Sequence, residues 1–353
     1  MKKAIIAMSG GVDSSVAAYL MKKNGFDCIG ATMKLYDNDD INISREKTCC
    51  SLDDIEDARA VALRLSMPYY VFNFKEEFKE KVIDKFIRTY ECGGTPNPCI
   101  DCNSQLKFKK LFQRMKELEF DYVITGHYAR IEENNGWFYL KKGKDITKDQ
   151  SYVLYSLTQN QLAHILFPLG DFSKTEIREI AQEQGFVNAK KRDSQDICFV
   201  PDGDYTSFIE SYTGKKYPHG NFVDTNGNVL GTHKGIIRYT NGQRKGLGIA
   251  LGKPAYVVGK NIEENTVVLG SNDDLFSNEL TADDFNWIIP DVSREIKCKA
   301  KVRYNMKEQN TTAFVNDDGT VKVVFDELQR AITKGQAVVL YDGDTVLGGG
   351  TII

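Results

Sequence analysis

Short apolar runs alternate with amphipathic segments over the first third of the chain. The runs at residues 3–8, 27–35, 68–74 and 121–128 predict four buried strands. Segments between them repeat apolar residues at helical spacing, and one such helix is predicted from about residue 104 to 118. This alternation predicts an α/β fold, with a parallel sheet covered by helices on both faces. Ligands of such sheets bind at the carboxyl ends of the strands.

The pattern changes after about residue 205. Asn-Gly and Asp-Gly turn pairs separate short stretches of alternating apolar and polar residues, and helical periodicity nearly disappears. We therefore predict three domains: a catalytic α/β domain at 1–204, a small β-rich central domain at 205–275 and a C-terminal β-barrel or sandwich at 276–353.

One predicted C-terminal strand, residues 296–304, has a strongly basic face. Alternation places Lys297, Lys299, Lys301 and Arg303 on the same side. Four cations in a row suit either a solvated outer face or the phosphate backbone of a nucleic acid.

The composition narrows the class of protein. The chain has 353 residues, a net charge of −3 and 41% hydrophobic residues, which argues against disorder and against a general nucleic-acid coat. No apolar stretch approaches the roughly 18 residues of a membrane span. We expect a soluble cytoplasmic protein, in which a special cysteine among the eight present is catalytic or metal-binding rather than part of a structural disulfide.

The motif SGGVDSS, residues 9–15, lies between the first strand and the first helix. Exposed amides at a helix start favour an anion, and Gly10 and Gly11 let the backbone approach a phosphate without a Cβ clash. No Walker-type lysine motif occurs. The motif resembles the phosphate-binding loop of the N-type, or PP-loop, ATP pyrophosphatases. That resemblance implies cleavage of ATP to AMP and pyrophosphate.

Three cysteines stand out from the others. Cys99 and Cys102 follow two prolines in TPNPCIDCN, residues 95–103, which predicts a stiffened loop that presents both thiols. A zinc site would need a second Cys-x-x-C pair, and the sequence has none. Cys198 follows three basic residues, 190–192, and nearby cations lower a thiol pKa.

Several motifs together resemble one family over nearly the whole chain. In order along the sequence they are SGGVDSS, TPNPCIDCN, LKFK, TGHYAR, KDQSYVLYSL, KKRDSQDICF, NGQRKGLGI and LGGGTII. They are similar to the tRNA-specific 2-thiouridylases, bacterial enzymes that make 2-thiouridine at the wobble position. The resemblance implies a Rossmann-like ATP pyrophosphatase domain, a small central domain and a C-terminal β-barrel, with ATP and Mg²⁺ required.

The resemblance also implies roles for individual residues. Cys102 would be the nucleophile, Cys198 would carry a persulfide and Asp13 would help to position magnesium. ATP would contact the loop and two further positions: Ala7, Met8, Ser9, Gly10, Gly11, Val12, Asp13, Ser14, Met33 and Gly126. The target base and the rest of the tRNA would contact Asn97, Lys148, Asp149, Gln150, Arg303 and Tyr304.

In the family's reaction, both the 2-carbonyl oxygen of uracil and the incoming sulfur have to be activated. ATP adenylates the 2-carbonyl oxygen of uracil, which then leaves as AMP. Sulfur comes from a persulfide on Cys198, and Cys102 either forms a transient disulfide with Cys198 or helps to liberate hydrosulfide. The family implies tRNAs for Lys, Glu and Gln as substrates, a cysteine desulfurase or a sulfur-relay protein as donor, and a monomeric enzyme.

Cys99 departs from well-known family members, which carry Asp at this position. It is an inert substitute, a thiol that resolves disulfides with Cys102, or one ligand of an iron–sulfur cluster with Cys102 and Cys198. An alternative function, from another class of enzyme, is that of a PP-loop ligase that acts on a small molecule.

Overall fold

A computed structural model describes residues 1–37, 52–191, 197–200 and 203–353. Among these residues, none of the helices combines the length and the apolar character needed to cross a membrane.

The described residues form strands that we number in chain order. They are β1 (Lys3–Ala7), β2 (Asp27–Lys34), β3 (Tyr69–Asn73), β4 (Tyr122–Ile124), β5 (Ala129–Asn134), β6 (Trp137–Lys142), β7 (Ile165–Leu166), β8 (Gly220–Val223), β9 (Val229–His233), β10 (Tyr256–Asn261), β11 (Thr266–Gly270), β12 (Phe276–Trp287), β13 (Glu295–Lys301), β14 (Gln309–Val315), β15 (Val321–Arg330), β16 (Ala337–Asp342) and β17 (Thr345–Ile352).

The helices are numbered in the same way. They are α1 (Val12–Lys23), α2 (Leu52–Arg64), α3 (Lys75–Phe78), α4 (Asp84–Glu91), α5 (Pro98–Asp101), α6 (Leu111–Glu117), α7 (Gln159–Leu162), α8 (Lys174–Glu183) and α9 (Tyr205–Thr213). Two π-helical segments, Lys79–Ile83 and Cys102–Lys110, join α3 to α4 and α5 to α6. Short 3₁₀ turns occur at Ser151–Leu154, Ile236–Arg238 and Asp273–Leu275.

A five-stranded sheet in the order β3-β2-β1-β4-β7 forms the N-terminal part, and every pairing in it is parallel. Its central strand is buried on both faces, with Ala4, Ile5 and Ile6 all at 0% exposure. This confirms the predicted parallel α/β fold. The phosphate loop and the fourth strand's end lie at the same edge, because parallel strands point their carboxyl ends one way.

The Cys-x-x-C pair lies in a helix, where the sequence analysis expected a loop and a helix start near residue 104. The helix begins at Pro98 and continues through the π-helical segment to α6. Proline suits the first helical position, where its missing N–H is not needed, and Asn97 before it has φ −120° and ψ 87°. Cys99 and Cys102 are therefore held on the first turns of a helix.

The C-terminal part is a closed six-stranded antiparallel barrel, in the order β12-β15-β14-β13-β16-β17, with β12 pairing back to β17. The predicted β-barrel is thereby confirmed. A hairpin of β5 and β6, which the sequence analysis did not predict, extends this sheet beside β17. Arg130 on the hairpin donates to Asp344 at 2.8 Å. The hairpin thus joins the N-terminal part of the chain to the barrel.

The central part contains a four-stranded sheet in the order β10-β11-β8-β9. β11 and β8 pair in parallel, and the other two pairings are antiparallel. The helix α9 precedes this sheet, capped by the side chain of Asp204 at its start and by Gly214 with φ 68° at its end. These two caps explain a helix in a region whose sequence shows little helical periodicity.

Candidate functional site

The predicted phosphate loop connects β1 to α1. Gly11 is the N-cap of α1, and the helix amides that follow it are oriented as an anion site requires. Gly10 has φ +74°, and a Cβ there would lie 2.3 Å from the carbonyl oxygen of Asp54. Ser14 Oγ accepts from the Ser9 amide at 3.2 Å and donates to the Gly11 carbonyl at 3.0 Å. The loop therefore has one tightly specified conformation.

Asn188 and Lys191 hold this loop from outside. The buried Asn188 donates from Nδ2 to the Gly10 carbonyl and to Ser15 Oγ, both at 2.9 Å. Lys191 Nζ lies 3.4 Å from the same carbonyl and pairs with Asp54 at 2.7 Å and Asp57 at 2.6 Å. The sequence analysis missed Asn188; its place two residues before the Lys190-Lys191 pair was the available signal.

Asp13, which the family resemblance links to magnesium, has other partners here. Each of its carboxylate oxygens lies 2.8 Å from Lys174 Nζ, and Tyr128 donates to Oδ1 at 2.8 Å. Asp13 is thus arranged as the counter-ion of Lys174 and does not fit the role of a free metal ligand. Gly126 packs against the start of α1, where a Cβ would lie 2.8 Å from the Ser14 nitrogen.

Met33 and His127 border the same edge of the sheet. Met33 is half-buried near the end of β2 and packs against two of the hydrophobic cores. His127 is buried, and its Nδ1 lies 2.7 Å from Thr125 Oγ1. Burial holds the pKa of His127 well below its ordinary value, so the ring is neutral near pH 7. This agrees with a structural histidine.

Cys99 is exposed and Cys102 is half-buried, one helical turn further on. Burial raises the pKa of the Cys102 thiol to about 11; Lys107 opposes this rise, whereas Cys99 and Asp101 add to it. The buried Asp101 between the two thiols pairs with Lys85 at 2.7 Å, and burial raises its pKa. Cys102 is thus predominantly a neutral thiol in the isolated protein.

Cys198 borders the same hydrophobic core as Cys102. Both are half-buried against the cluster that contains Tyr36 and Leu106, and the Cys198 carbonyl accepts from the Tyr36 hydroxyl at 2.9 Å. Of the cations predicted to lower its pKa, Lys191 is engaged by carboxylates of α2, and Arg192 lies outside the described residues. The fold therefore brings both predicted catalytic thiols to one core.

The three thiols do not fit the arrangement expected of cluster ligands. In the part of the chain that the structure describes, no group of three or more His, Cys, Asp or Glu side chains could hold a metal ion. Cys99, Cys102 and Cys198 all belong to that part.

The barrel anchors the segment that precedes the cysteines. The amide of Thr95 donates to the Lys334 carbonyl at 2.8 Å. Gln336 Nε2 donates to the carbonyls of Thr95 at 2.9 Å and Pro96 at 3.2 Å. Asn97, half-exposed, follows directly. The segment between α4 and the cysteine helix is therefore held against the barrel at Thr95 and Pro96.

Two of the three predicted tRNA-contacting residues at 148–150 have side chains that accept hydrogen bonds from the protein's own backbone. The buried Asp149 accepts from the amides of Gly143 and Ser151, both at 3.1 Å. Gln150 Oε1 accepts from the Tyr128 amide at 2.9 Å. Lys148, which directly precedes these two residues, is half-exposed. The segment is thus a well-ordered turn.

Tyr304 and Arg303 lie beyond the end of β13, whereas the sequence analysis placed both on the strand. The Tyr304 hydroxyl donates to the Asp149 carbonyl at 3.0 Å, and burial, Asp149 and Cys99 all raise its pKa. Tyr304 therefore holds the turn at 148–150, and its hydroxyl is close enough to Cys99 for an electrostatic effect. Arg303 Nη2 donates to the Ala331 carbonyl at 2.5 Å and to Thr333 Oγ1 at 3.0 Å.

The basic face of β13 is narrower than predicted. Lys297 and Lys299 are exposed. Lys301 keeps only 15% of its side chain exposed, 3.9 Å from Glu308. The strand ends at Lys301, so the alternation does not extend to Arg303.

Comparison with known proteins assigns the chain to a family. Residues 2–202 match the family model of the tRNA methyl transferase HUP domain, residues 206–271 the tRNA methyl transferase PRC-barrel domain and residues 277–352 the aminomethyltransferase beta-barrel domain. A tRNA-specific 2-thiouridylase MnmA of Clostridioides difficile is 54% identical over 99% of this chain and 98% of its own length. One of Lachnoclostridium phytofermentans is 52% identical over 100% of both. The chain belongs to the tRNA-specific 2-thiouridylase family.

As a member of the tRNA-specific 2-thiouridylase family, the protein is an ATP-dependent sulfurtransferase that modifies tRNA. Membership decides against the small-molecule ligase. The family models speak of methyl transfer, but the thiols and the phosphate loop suit the thiouridylase name of the relatives. A 4-thiouridine synthetase in complex with RNA and ATP shares 20% identity and a TM-score of 0.36 over 60% of this chain and 50% of its own, too loose a likeness for mechanistic inference.

Proposed function

We propose that this enzyme replaces the 2-carbonyl oxygen of the tRNA wobble uridine with sulfur through a persulfide on Cys198, with Cys102 as its catalytic partner. The observation that carries the proposal is the placement of both thiols against one hydrophobic core, in the domain whose sheet edge carries the phosphate loop.

The phosphate loop serves the first half-reaction. Its helix-terminal amides bind the phosphates of ATP, and Asn188 keeps the Gly10 carbonyl turned away from them. The uracil 2-oxygen attacks the α-phosphorus, pyrophosphate leaves and an adenylated uridine remains. Magnesium supplies charge neutralisation to the phosphates when it is bound.

The thiols serve the second half-reaction. The Cys102 thiolate attacks Cys198 Sγ, the inner sulfur of the persulfide, and the bond from Sγ to the outer sulfur breaks, so that Cys198–S–SH and Cys102–S⁻ give a Cys102–Cys198 disulfide and HS⁻. The HS⁻ adds to C2 of the adenylated uridine, and AMP leaves with the former carbonyl oxygen. An external thiol reductant restores both cysteines before the next turnover. Because the pKa of Cys102 is about 11, the thiolate has to be stabilised within the site.

The tRNA contacts follow from the anchored loop and the barrel. Asn97, half-exposed beside the cysteine helix, contacts the target base after that base leaves its stack. Lys148, Arg303 and Tyr304 border the same region, and the ordered backbone at Asp149 and Gln150 presents the turn to the RNA. The tRNAs for Lys, Glu and Gln are the proposed substrates. A cysteine desulfurase or relay protein donates the sulfur to a monomeric enzyme.

Cys99 acts as an accessory thiol in this scheme and is not required for sulfur transfer. Cys99 is exposed and does not belong to the residues that pack against the core that Cys102 and Cys198 share.

The test is 2-thiouridine formation on an unmodified tRNA transcript with ATP, magnesium and a persulfide donor, measured by nucleoside mass spectrometry. We expect iron-free enzyme and the Cys99→Ser variant to thiolate, whereas Cys102→Ser and Cys198→Ser bind tRNA but form no product. Activity that depends on reconstituted iron and sulfide and on Cys99 would replace the persulfide scheme with the cluster. Product formation by Cys198→Ser would refute the role of that cysteine.

A further inference from the structure

The helix that carries Cys102 also carries a cation, Lys107, that has no partner among the residues that the structure describes. Lys107 is half-buried, and its flanking residues Leu106 and Phe108 are 0% and 1% exposed. Lys110 pairs with Glu77 at 2.9 Å, and Lys109 donates to Gln105 at 3.5 Å. Within the described ranges, the Lys107 ammonium forms neither an ion pair nor a hydrogen bond. A partly desolvated ammonium without a counter-charge favours an anion that binds or forms beside it.

The helix geometry turns Lys107 toward Cys102. The segment Cys102–Lys110 is π-helical, and at its end the amide of Leu111 donates to the carbonyl of Leu106. A π-helix repeats its hydrogen bonds every five residues, and Lys107 is the fifth residue after Cys102. In an α-helix of 3.6 residues per turn, the fifth residue would point well away from the first. The π-helical spacing therefore places Lys107 and Cys102 on the same side of the helix, and π-helical turns are frequent at functional sites.

The electrostatic influence of Lys107 agrees with that position. It lowers the pKa of Cys102, against the increase caused by burial, and it also lowers the pKa of His127. The ring of His127 lies 5.8 Å from that of Phe108, the residue after Lys107. The ammonium is therefore close enough to act electrostatically on both the nucleophilic thiol and the histidine that follows Gly126.

We propose that Lys107 is a positioning residue whose ammonium stabilises the thiolate of Cys102. The inference rests on the role of Cys102 proposed above. The step is a proton loss without redox change: Cys102–SH gives Cys102–S⁻, the proton passes to water, and Lys107 keeps its own charge throughout. The unpaired ammonium then gains its missing counter-ion at the moment when the nucleophile forms.

The test measures the reactivity of Cys102 in the full chain without tRNA or sulfur donor. Iodoacetamide reacts with the thiolate, so its rate at pH 8 reports the thiolate fraction. Fragmentation of the labelled peptide between Ile100 and Asp101 separates the label on Cys102 from that on Cys99. We expect Lys107→Met to slow labelling of Cys102 roughly tenfold, equivalent to one pKa unit. Lys107→Arg keeps most of the rate, because it keeps the charge.

The control is Lys109→Met, which removes an exposed charge from the same helix and leaves the Cys102 rate unchanged. Unfolding cannot imitate the expected result, because it would expose Cys102 and accelerate labelling. An unchanged or faster rate in Lys107→Met overturns the proposal. The assay contains no persulfide, so failure of the sulfur-transfer scheme would show separately, in the Cys198→Ser variant.

Discussion

Asn188 donates from its side-chain amide to the carbonyl of Gly10 at 2.9 Å, across 178 residues of sequence. The buried Asn188 lies ten residues before Cys198, and Gly10 lies in the proposed phosphate loop. The contact therefore links the part of the chain that leads to Cys198 to that loop.

Loss of the Asn188 amide is expected to weaken ATP binding. In Asn188→Ala the Gly10 carbonyl and Ser15 Oγ both lose a donor, and the carbonyl keeps only Lys191 Nζ at 3.4 Å, at a cost of about 1 kcal/mol. We expect the Kd for ATP to rise at least severalfold, measured by isothermal titration calorimetry. Gln182→Ala, an exposed change on α8, is the control. An unaltered Kd in Asn188→Ala would show that the loop keeps its shape without this contact.

A methyl group at Gly10 should abolish nucleotide binding. In Gly10→Ala the residue has to adopt φ +74° with its Cβ 2.3 Å from the Asp54 carbonyl oxygen, so the loop or α2 must move. We expect the free energy of unfolding to fall by about 2 kcal/mol or more. Denaturant unfolding and ATP titration measure the two effects.

Gly136→Ala provides the matched comparison for Gly10. Gly136 has φ +81°, but nothing lies within 4 Å of a Cβ there. It should lose only about 1 kcal/mol, from the backbone conformation alone, and should bind ATP normally. Equal losses in the two variants would mean that contact with Asp54 is unimportant.

Removal of Lys85 should produce a destabilisation that grows with pH. Burial raises the pKa of Asp101, and Lys85 at 2.7 Å partly offsets the rise, so Lys85→Met raises this pKa further. A carboxyl with a raised folded-state pKa contributes stability below its unfolded pKa of about 3.9 and loses it as pH rises through the folded value. The deficit of the variant should therefore increase as pH rises through the raised folded-state pKa of Asp101 in the parent protein, and level off once Asp101 is ionised in both folded proteins.

Urea unfolding from pH 4 to 8 measures this dependence. Lys81→Met removes an exposed partner of Glu80 and should show little change in stability across the series. A deficit for Lys85→Met that is constant with pH would contradict the assignment to Asp101.

The Gln336 amide should control catalysis without affecting ATP binding. Its bonds to the Thr95 and Pro96 carbonyls hold the loop before Asn97 against the barrel. In Gln336→Ala we expect faster hydrogen exchange at the Thr95 and Asn97 amides and a severalfold lower kcat for thiolation, with the Kd for ATP unchanged. Gln309→Ala on β14 is the control. Unchanged exchange in the Gln336 variant would mean that the Thr95–Lys334 backbone bond is sufficient.

Local sequence patterns predicted the parallel sheet, the phosphate loop after β1 and the change to β structure in the C-terminal part. Each depends on neighbours along the chain: apolar periodicity selects helix or strand, and Gly10 and Gly11 mark a loop between them. Predictions from these patterns were wrong where one residue favours two different local structures. The prolines of TPNPC suggested a loop, but Pro98 is also well suited to start a helix, and it does.

The amino-acid sequence by itself therefore determined the parallel α/β fold and four of the five strands of its sheet, but not β7 (Ile165–Leu166). The phosphate site after β1 and the thiols that act on sulfur stay predictions from sequence. Only the tertiary structure decided that Asn188 supports Gly10, that Gln336 holds the loop before the cysteines and that β5 and β6 extend the barrel sheet. It also decided that Lys110 has an ion-pair partner whereas Lys107 has none within the described part of the chain. These features join residues far apart in the chain, and they arise from how finished elements pack, which the periodicity within any one element does not encode.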